Sequence, residues 1–592
     1  MHLTRRDFLE LAIVTGAYLA TNPVSALAKM TLDDILSFKP VGNVTLLFTT
    51  DMHAHLKPHY FSEPINLVAP KNLKGLPGTI TGRDFLKMYK IAPGTLEAYF
   101  MSCVDFPVLA QKFGKMGGAA HITWLIKHVI AERGRDKVLV LDGGDTWITT
   151  AVGTFTDGKS VVDWMKLTGY DLMVGHWEFT FGKDIVLKRI KELEEAGCEF
   201  ISQNIREVDE FGFEGDLVFK PYAIKEVGGA KLGIIGNSFP FTPIANPRQF
   251  VEGWSFGVRE DTLQEYVNEL REKHKVDAVI LLSHDGLLLD IALAKKVKGI
   301  DVIISGHTHD VVPKAYKVPG TNTIVVIAGS HGKFVGRLDL DIRNGKIMDF
   351  SYKLYPVASN LIPADKEAEK LVEKYYREVD KKLGLSKEIG TAEVMLYKRD
   401  TFFSTWDWLV GEAINDYYGG DLDVVTSPGY RWGTVVLPGQ KITVDHVYAF
   451  TAITYPNVYV LKRTGEQLKA VWEDVADNVF NPNPFYQQGG DMSRIWNVEY
   501  EIEVNGPQYN RIKRVWIGGK ELKPKKEYLV AVYGGPPPPP EAVEPGYKPV
   551  PVYEILINYI KKKGSINVRT KPNVKVLDAE YHTYDECYGG GK

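Results

Sequence analysis

Residues 301–310 read DVIISGHTHD. The short run Val302-Ile303-Ile304 is β-branched and apolar throughout, which predicts a strand. It stops at Ser305-Gly306, and His307 and His309 follow at once. In open α/β sheets, ligands bind outside the carboxyl ends of the strands. The histidine pair is therefore read as a candidate site at a strand end. The rest of the N-terminal half shows whether other strands end in the same way.

Four more do. Asp51-Met52-His53 closes LLFTT, Gly144-Asp145 closes VLVLDG, Gly175-His176-Trp177-Glu178 closes DLMV, and Ser283-His284-Asp285 closes AVILL. These runs alternate with helical patterns such as residues 185–196 and 262–273, as expected of a sheet buried on both faces. Distant segments can therefore meet at one rim. Strand alternation would put both side chains of Asp51/His53, and of His307/His309, on the same side. A lone histidine at a strand end is more often a hydrogen-bonded structural residue; five such motifs in order are not explained that way. Aspartate and histidine without thiolate favour manganese, zinc or iron. Two carboxylates and five imidazoles suffice for two ions if one carboxylate bridges, and ions roughly 3.5–4 Å apart can share a hydroxide.

The order DxH, GD, GHWE, H, GHxH resembles that of the calcineurin-like metallophosphoesterases, and the layout resembles that of secreted 5′-nucleotidases. The resemblance implies an α/β protein with three parts. A metallophosphoesterase-like αββα sandwich domain covers residues 29–360, a linker helix residues 361–389, and a smaller α/β 5′-nucleotidase-type domain residues 390–592. It also implies the ligand sets. One metal takes Asp51, His53 and His309; the other takes His176, His284 and His307; Asp145 bridges.

Two departures matter. His176 stands where the family has asparagine, which keeps a metal ligand. Trp177 stands where the family has the histidine that assists phosphoester cleavage. An alkoxide leaving group needs that help, whereas a sulfur leaving group, with a thiol pKa near about 8.5, needs little. The GHWEFTFG signature is similar to that of the thiosulfohydrolases of bacterial thiosulfate oxidation. That resemblance implies two Mn²⁺ ions, with zinc and iron as alternatives. It implies that a bridging hydroxide hydrolyses the terminal sulfone from a cysteine S-thiosulfonate on the SoxYZ carrier. Sulfate is released, and the carrier cysteine is left as a persulfide. The rival with the same chemistry is a secreted 5′-nucleotidase or cyclic-nucleotide phosphodiesterase; the rival of another class is a non-catalytic metal-binding, carrier-docking protein.

In the second domain, residues 426–433 (TSPGYRWG) resemble the arginine loop of nucleotidase C-terminal domains. Arg431 is therefore the expected cation for an anionic group, a task suited to a guanidinium fork; with Asp145 it is expected to carry catalysis. Tyr455 falls where nucleotidases place a base-stacking aromatic and is a substrate candidate with Trp177 and Arg431, although it could equally only pack. Gly534-Gly535 runs into five prolines, so the other half of an adenine clamp is not visible. Residues 489–491 (GGD) read as a turn near the cleft. The long insert, residues 56–116, reads as a loop-rich lid or carrier channel, and His121 receives no role.

The 592 residues carry 71 Lys+Arg against 74 Asp+Glu, a net charge of −3 that does not fit a generic nucleic-acid binder. No apolar run reaches the ~18 residues of a membrane span, so none is expected in the mature form. Three cysteines are too few for a disulfide framework. Thr4-Arg5-Arg6-Asp7-Phe8-Leu9, an apolar stretch and Ala26-Leu27-Ala28 make residues 1–28 a twin-arginine signal peptide, which places the mature protein in the periplasm. Residues 364–382 are charged and helical and read as a solvated linker.

Overall fold

The computed structural model describes residues 30–588. The leader reading lies outside them. Two six-stranded sheets form the N-terminal unit. In the first the order is Lys346–Pro356, Phe334–Arg343, Val44–Thr49, Val138–Asp142, Leu172–Met173, Glu199–Phe200. In the second it is Tyr316–Lys317, Ile324–Ile327, Val302–Ser305, Ala278–Ser283, Ala230–Asn237, Tyr222–Val227. The expected apolar runs fill the central, parallel strands of both. Antiparallel strands that the sequence pattern did not mark complete one side of each sheet: Phe334–Arg343 on Val44–Thr49 with Lys346–Pro356 outside it, and Tyr222–Val227 on Ala230–Asn237.

Side-chain alternation explains why the sheets stack. Ile234, Ile280, Leu282 and Ile304 point into the large core shared with the first sheet. Their neighbours Ile235, Val279, Leu281 and Ile303 point the other way, onto Leu263, Val267 and Leu270 of one helix and Leu287 and Ile291 of the next. This is the expected αββα sandwich.

Two expectations need correction, and one bond was not foreseen. Helix Lys366–Leu383 is not a solvated linker. Ala368, Val372, Tyr375, Tyr376 and Val379 form a buried stripe against helices Ala119–Arg133 and Lys159–Thr168. Its charges occupy only the opposite face, as an amphipathic period allows. The insert is not chiefly loop: it contains helices Gly82–Tyr89, Leu96–Met101 and Phe106–Phe113 and buries Phe85, Tyr99, Phe100 and Phe106. Two of the three cysteines, Cys103 of the insert and Cys587 near the C-terminus, form a disulfide with Cα atoms 5.8 Å apart. Cys198 is buried and free.

The C-terminal unit is built around a five-stranded sheet, in the order Asp491–Trp496, Val424–Gly429, Glu527–Val532, Asn457–Thr464, Val550–Pro551. Residues 430–433 follow the strand that ends at Gly429, and residues 489–491 enter its antiparallel neighbour. This register carries both segments to the rim of the first domain. Among the described residues no helix is long and apolar enough to cross a membrane.

Candidate metal centre

All seven expected ligands meet at the rim, each buried. Donor atoms of Asp145, His176, His284 and His307 lie within 4.8 Å of one another, and so do those of Asp51, His53, Asp145 and His309. Asp145 belongs to both groups, as a bridging carboxylate would. Its Oδ2 is 3.2 Å from His176 Nδ1 and 3.1 Å from His284 Nε2. His309 Nε2 is 3.2 Å from Asp51 Oδ1 and 2.9 Å from His53 Nε2.

Strand alternation is not what aligns them. Strand Val44–Thr49 ends before Asp51, and strand Val302–Ser305 before His307. Asp51, His53, Asp145, His307 and His309 all have left-handed backbone, with φ between 49° and 72°. Such geometry is costly for residues with a Cβ and persists where the surroundings over-determine it. Here backbone hydrogen bonds do so. Asp51 N–H donates to Gly144 O (2.8 Å), His53 N–H to Asp145 O (2.9 Å) and His331 N–H to Asp51 O (2.7 Å). His307 N–H donates to the Asp51 carboxylate. Glu178, fully buried, accepts from the N–H groups of Thr146 (2.6 Å) and His176 (2.8 Å) and so ties the GD and GHWE turns together.

The donor chemistry suits divalent cations. Each of the five imidazoles has a buried nitrogen without a hydrogen-bond partner, a costly state that a cation relieves. Burial pulls His53 down to about 3 and holds His176, His307 and His309 below the usual imidazole range. Neutral imidazole is the metal-binding form. Burial also disfavours charge on His284, but Asp145 and Asp51 outweigh it and push this imidazole up to about 10. His284 Nδ1 is in contact with the Gly143 carbonyl, which fixes the tautomer and aims Nε2 at the two carboxylates.

A cleft of about 390 Å³ opens over these groups and is walled by Trp177, Tyr430, Arg431 and Trp432. Trp177 meets Trp432 edge-on at 4.7 Å, while its backbone N–H donates to Asp145 Oδ1 at 2.8 Å. Arg431 is held by Asp491 Oδ1 (3.2 Å) and the Gly490 carbonyl (2.6 Å), leaving its buried Nη1 free. Tyr455 stands apart from the other expected site residues. It is 8% exposed, lies behind Trp177 and Tyr430, and is absent from the cleft wall. The glycine turn does reach the site, since Gly489 packs on His307. A second, smaller cavity of about 90 Å³ adjoins that turn and shares His307 and Arg431 with the cleft. His121 bonds the Ile362 carbonyl at 2.7 Å, which is a structural role.

Several neighbours escaped the sequence reading. Buried His55 and His331 and half-buried His59 form an imidazole cluster beside His53, with ring centres 4.2–5.3 Å apart for successive pairs. The spacing of His53, His55 and His59 was the available signal. Glu178 could have been read from its place in the GHWE motif. Glu63, Lys333 and Arg399 form a buried ion chain that has no local signature.

The family profile described as "5′-nucleotidase, C-terminal domain" matches residues 388–535. A snake venom 5′-nucleotidase from Gloydius brevicauda is 32% identical over 242 residues, 38% of this chain and 40% of that protein. The chain thus matches about two fifths of the length of that curated relative. Among solved structures, a 5′-nucleotidase precursor from Thermus thermophilus shares the fold (TM-score 0.70, 22% identity, 91% of this chain, 100% of that one). The sulfate thiohydrolase SoxB of the same organism, solved with glycerol, has TM-score 0.87 and 42% identity, covering 92% of this chain and 99% of that one. Sandwich, paired donor groups and C-terminal unit together define a two-domain hydrolase of the 5′-nucleotidase class. Within that class, 42% identity over nearly the whole length decides more than 32% over two fifths of the chain or 22% along a shared fold. The chain belongs to the SoxB family of sulfate thiohydrolases.

Proposed function

We propose that the protein is a periplasmic sulfohydrolase of thiosulfate oxidation, exported by the twin-arginine route. It acts on the cysteine S-thiosulfonate of the SoxYZ carrier. The supporting observation is the 42% identity to a sulfate thiohydrolase across the chain, together with Trp177 in place of the phosphoesterase histidine. In the reaction, water oxygen bonds to the terminal sulfonate sulfur and the bond to the sulfane sulfur breaks. The electron pair leaves with the sulfane sulfur, giving sulfate, a carrier persulfide and two protons.

Asp51, His53, Asp145 and His309 would hold one ion, and Asp145, His176, His284 and His307 the other. When bound, a pair of divalent cations supplies Lewis acidity that lowers the pKa of water and polarises sulfonate oxygens; manganese is the expected metal, with zinc and iron as alternatives. Arg431 offers its free Nη1 to a sulfonate oxygen, a charge-assisted bond. Trp177, Tyr430 and Trp432 shield the sulfane chain from water and donate no proton to the leaving sulfur, which as a weak base departs without one.

The test is incubation of purified enzyme with thiosulfonate-loaded carrier, following sulfate before and after chelation. Release that stops on chelation and returns with manganese supports the reading; release indifferent to chelation defeats it. The 5′-nucleotidase reading is favoured by the C-terminal domain match, and substantial AMP turnover by the manganese-loaded enzyme would restore it.

A further inference from the structure

The loop that bears His307 and His309 is held by a residue from the other domain. Arg399 is 3% exposed, and its guanidinium faces four acceptors. Nη2 donates to the Thr308 carbonyl at 2.8 Å, and Nη1 to the His309 carbonyl at 3.0 Å. Nη1 also meets Glu63 Oε2 of the insert at 3.0 Å, and Nη2 meets Asp310 Oδ1 at 3.3 Å. The other oxygen of Glu63 is bound by Lys333, which in turn donates to the Phe100 carbonyl at 2.8 Å. Among the described residues no other donor reaches the carbonyls of Thr308 or His309.

The loop needs such a grip. His307 and His309 are both left-handed, with φ of 72° and 60°. Without an external hold each would relax toward ordinary backbone, which would turn its imidazole away from the carboxylates. The N-terminal side of the loop is anchored within its own domain, by His307 N–H on Asp51. The side nearer His309 is anchored from outside, by Arg399. A guanidinium fork spans two successive carbonyls, and an ammonium cannot do so with the same fixed geometry.

We propose that Arg399 is a positioning residue: by bonding the carbonyls of Thr308 and His309 it keeps the His309 imidazole in place for the ion held with Asp51 and His53. Glu63 and Asp310 neutralise the buried guanidinium and tie its position to the insert. The C-terminal domain thereby completes the metal centre from behind, without contributing a ligand. This inference rests on the metal-binding reading of the two donor groups.

The experiment is manganese titration of chelator-stripped, full-length, disulfide-intact protein, with bound metal counted by mass spectrometry and the pair read by electron paramagnetic resonance. Wild type is expected to bind two ions per chain with a spin-coupled spectrum. Arg399→Met is expected to keep one ion at wild-type affinity and bind the other about tenfold or more weaker, the scale of a lost supporting contact, with the six-line signal of an isolated ion. Arg399→Lys, which keeps the charge and disturbs the fold least, should fall between the two. If Arg399→Met does not fold, Arg399→Lys decides alone: a weakened second ion supports the proposal, and two ions bound as in wild type overturn it. A wild type that binds no paired ions defeats the metal reading and the proposal with it. A paired wild type matched by both variants defeats the proposal only.

Discussion

Gly489 of the C-terminal domain rests on the Nε2 atom of His307, with no space between them for a Cβ. Its φ of +80° would also strain any larger residue. Gly489→Ala should therefore push His307 out of place. The expected result is a loss of about tenfold or more in affinity for one of two manganese ions, with a lowered melting temperature from the strained backbone. Calorimetric titration showing two wild-type affinities would refute this.

Trp177→His would restore the imidazole that phosphoesterases of this fold carry. The backbone N–H of residue 177, which bonds Asp145, survives the change. AMP hydrolysis should rise by about a hundredfold, within the range of general acid catalysis, while sulfate release from the carrier falls. A phosphate assay that stays at the wild-type baseline would show that tryptophan is not what excludes phosphoester chemistry.

Arg431→Met removes the free Nη1 and keeps the metal ligands. The substrate KM should rise about tenfold to a hundredfold, the worth of one hydrogen bond to a charged group, with metal content constant. Unaltered KM would remove Arg431 from the substrate site.

The seven donors were legible because each follows a strand that its own apolar residues announce, and topology alone brings strand ends together. Their means of alignment was not legible. Left-handed turns at Asp51 and His309 are set by hydrogen bonds to residues far along the chain. Glu63, Lys333 and Arg399 went unread for the same reason, since three charges scattered over the chain show no period that marks them as neighbours. The buried stripe of helix Lys366–Leu383 was visible as a period but hidden by its charge content. Tyr455 was placed by analogy, and its ring lies buried behind Trp177 and Tyr430.

Lys398 lies buried near Asp407, at 3.9 Å. Burial pulls its ammonium down to about 8 despite the opposing pull of Asp407. The unfolded chain holds that proton up to about 10.4. Between those values the unfolded state binds more protons, so stability rises with pH by at most about 3 kcal/mol; below the folded value both states are protonated and the slope vanishes. Lys398→Met should flatten urea midpoints between pH 8 and pH 10 relative to wild type. Parallel profiles for the two proteins would contradict the assignment.

Cys103→Ser opens the covalent link between the insert and the C-terminal tail. Unfolding free energy should fall by about 2–4 kcal/mol, and the two ions should still bind, because neither sulfur lies among the donors. A denaturation curve that coincides with wild type would show that the bond adds nothing to the resting fold.

That same bond joins two cysteines 484 positions apart and closes the chain between them into one ring. A protease that nicks any surface turn inside the ring therefore releases no fragment, and the cut enzyme should run as one band until thiol is added.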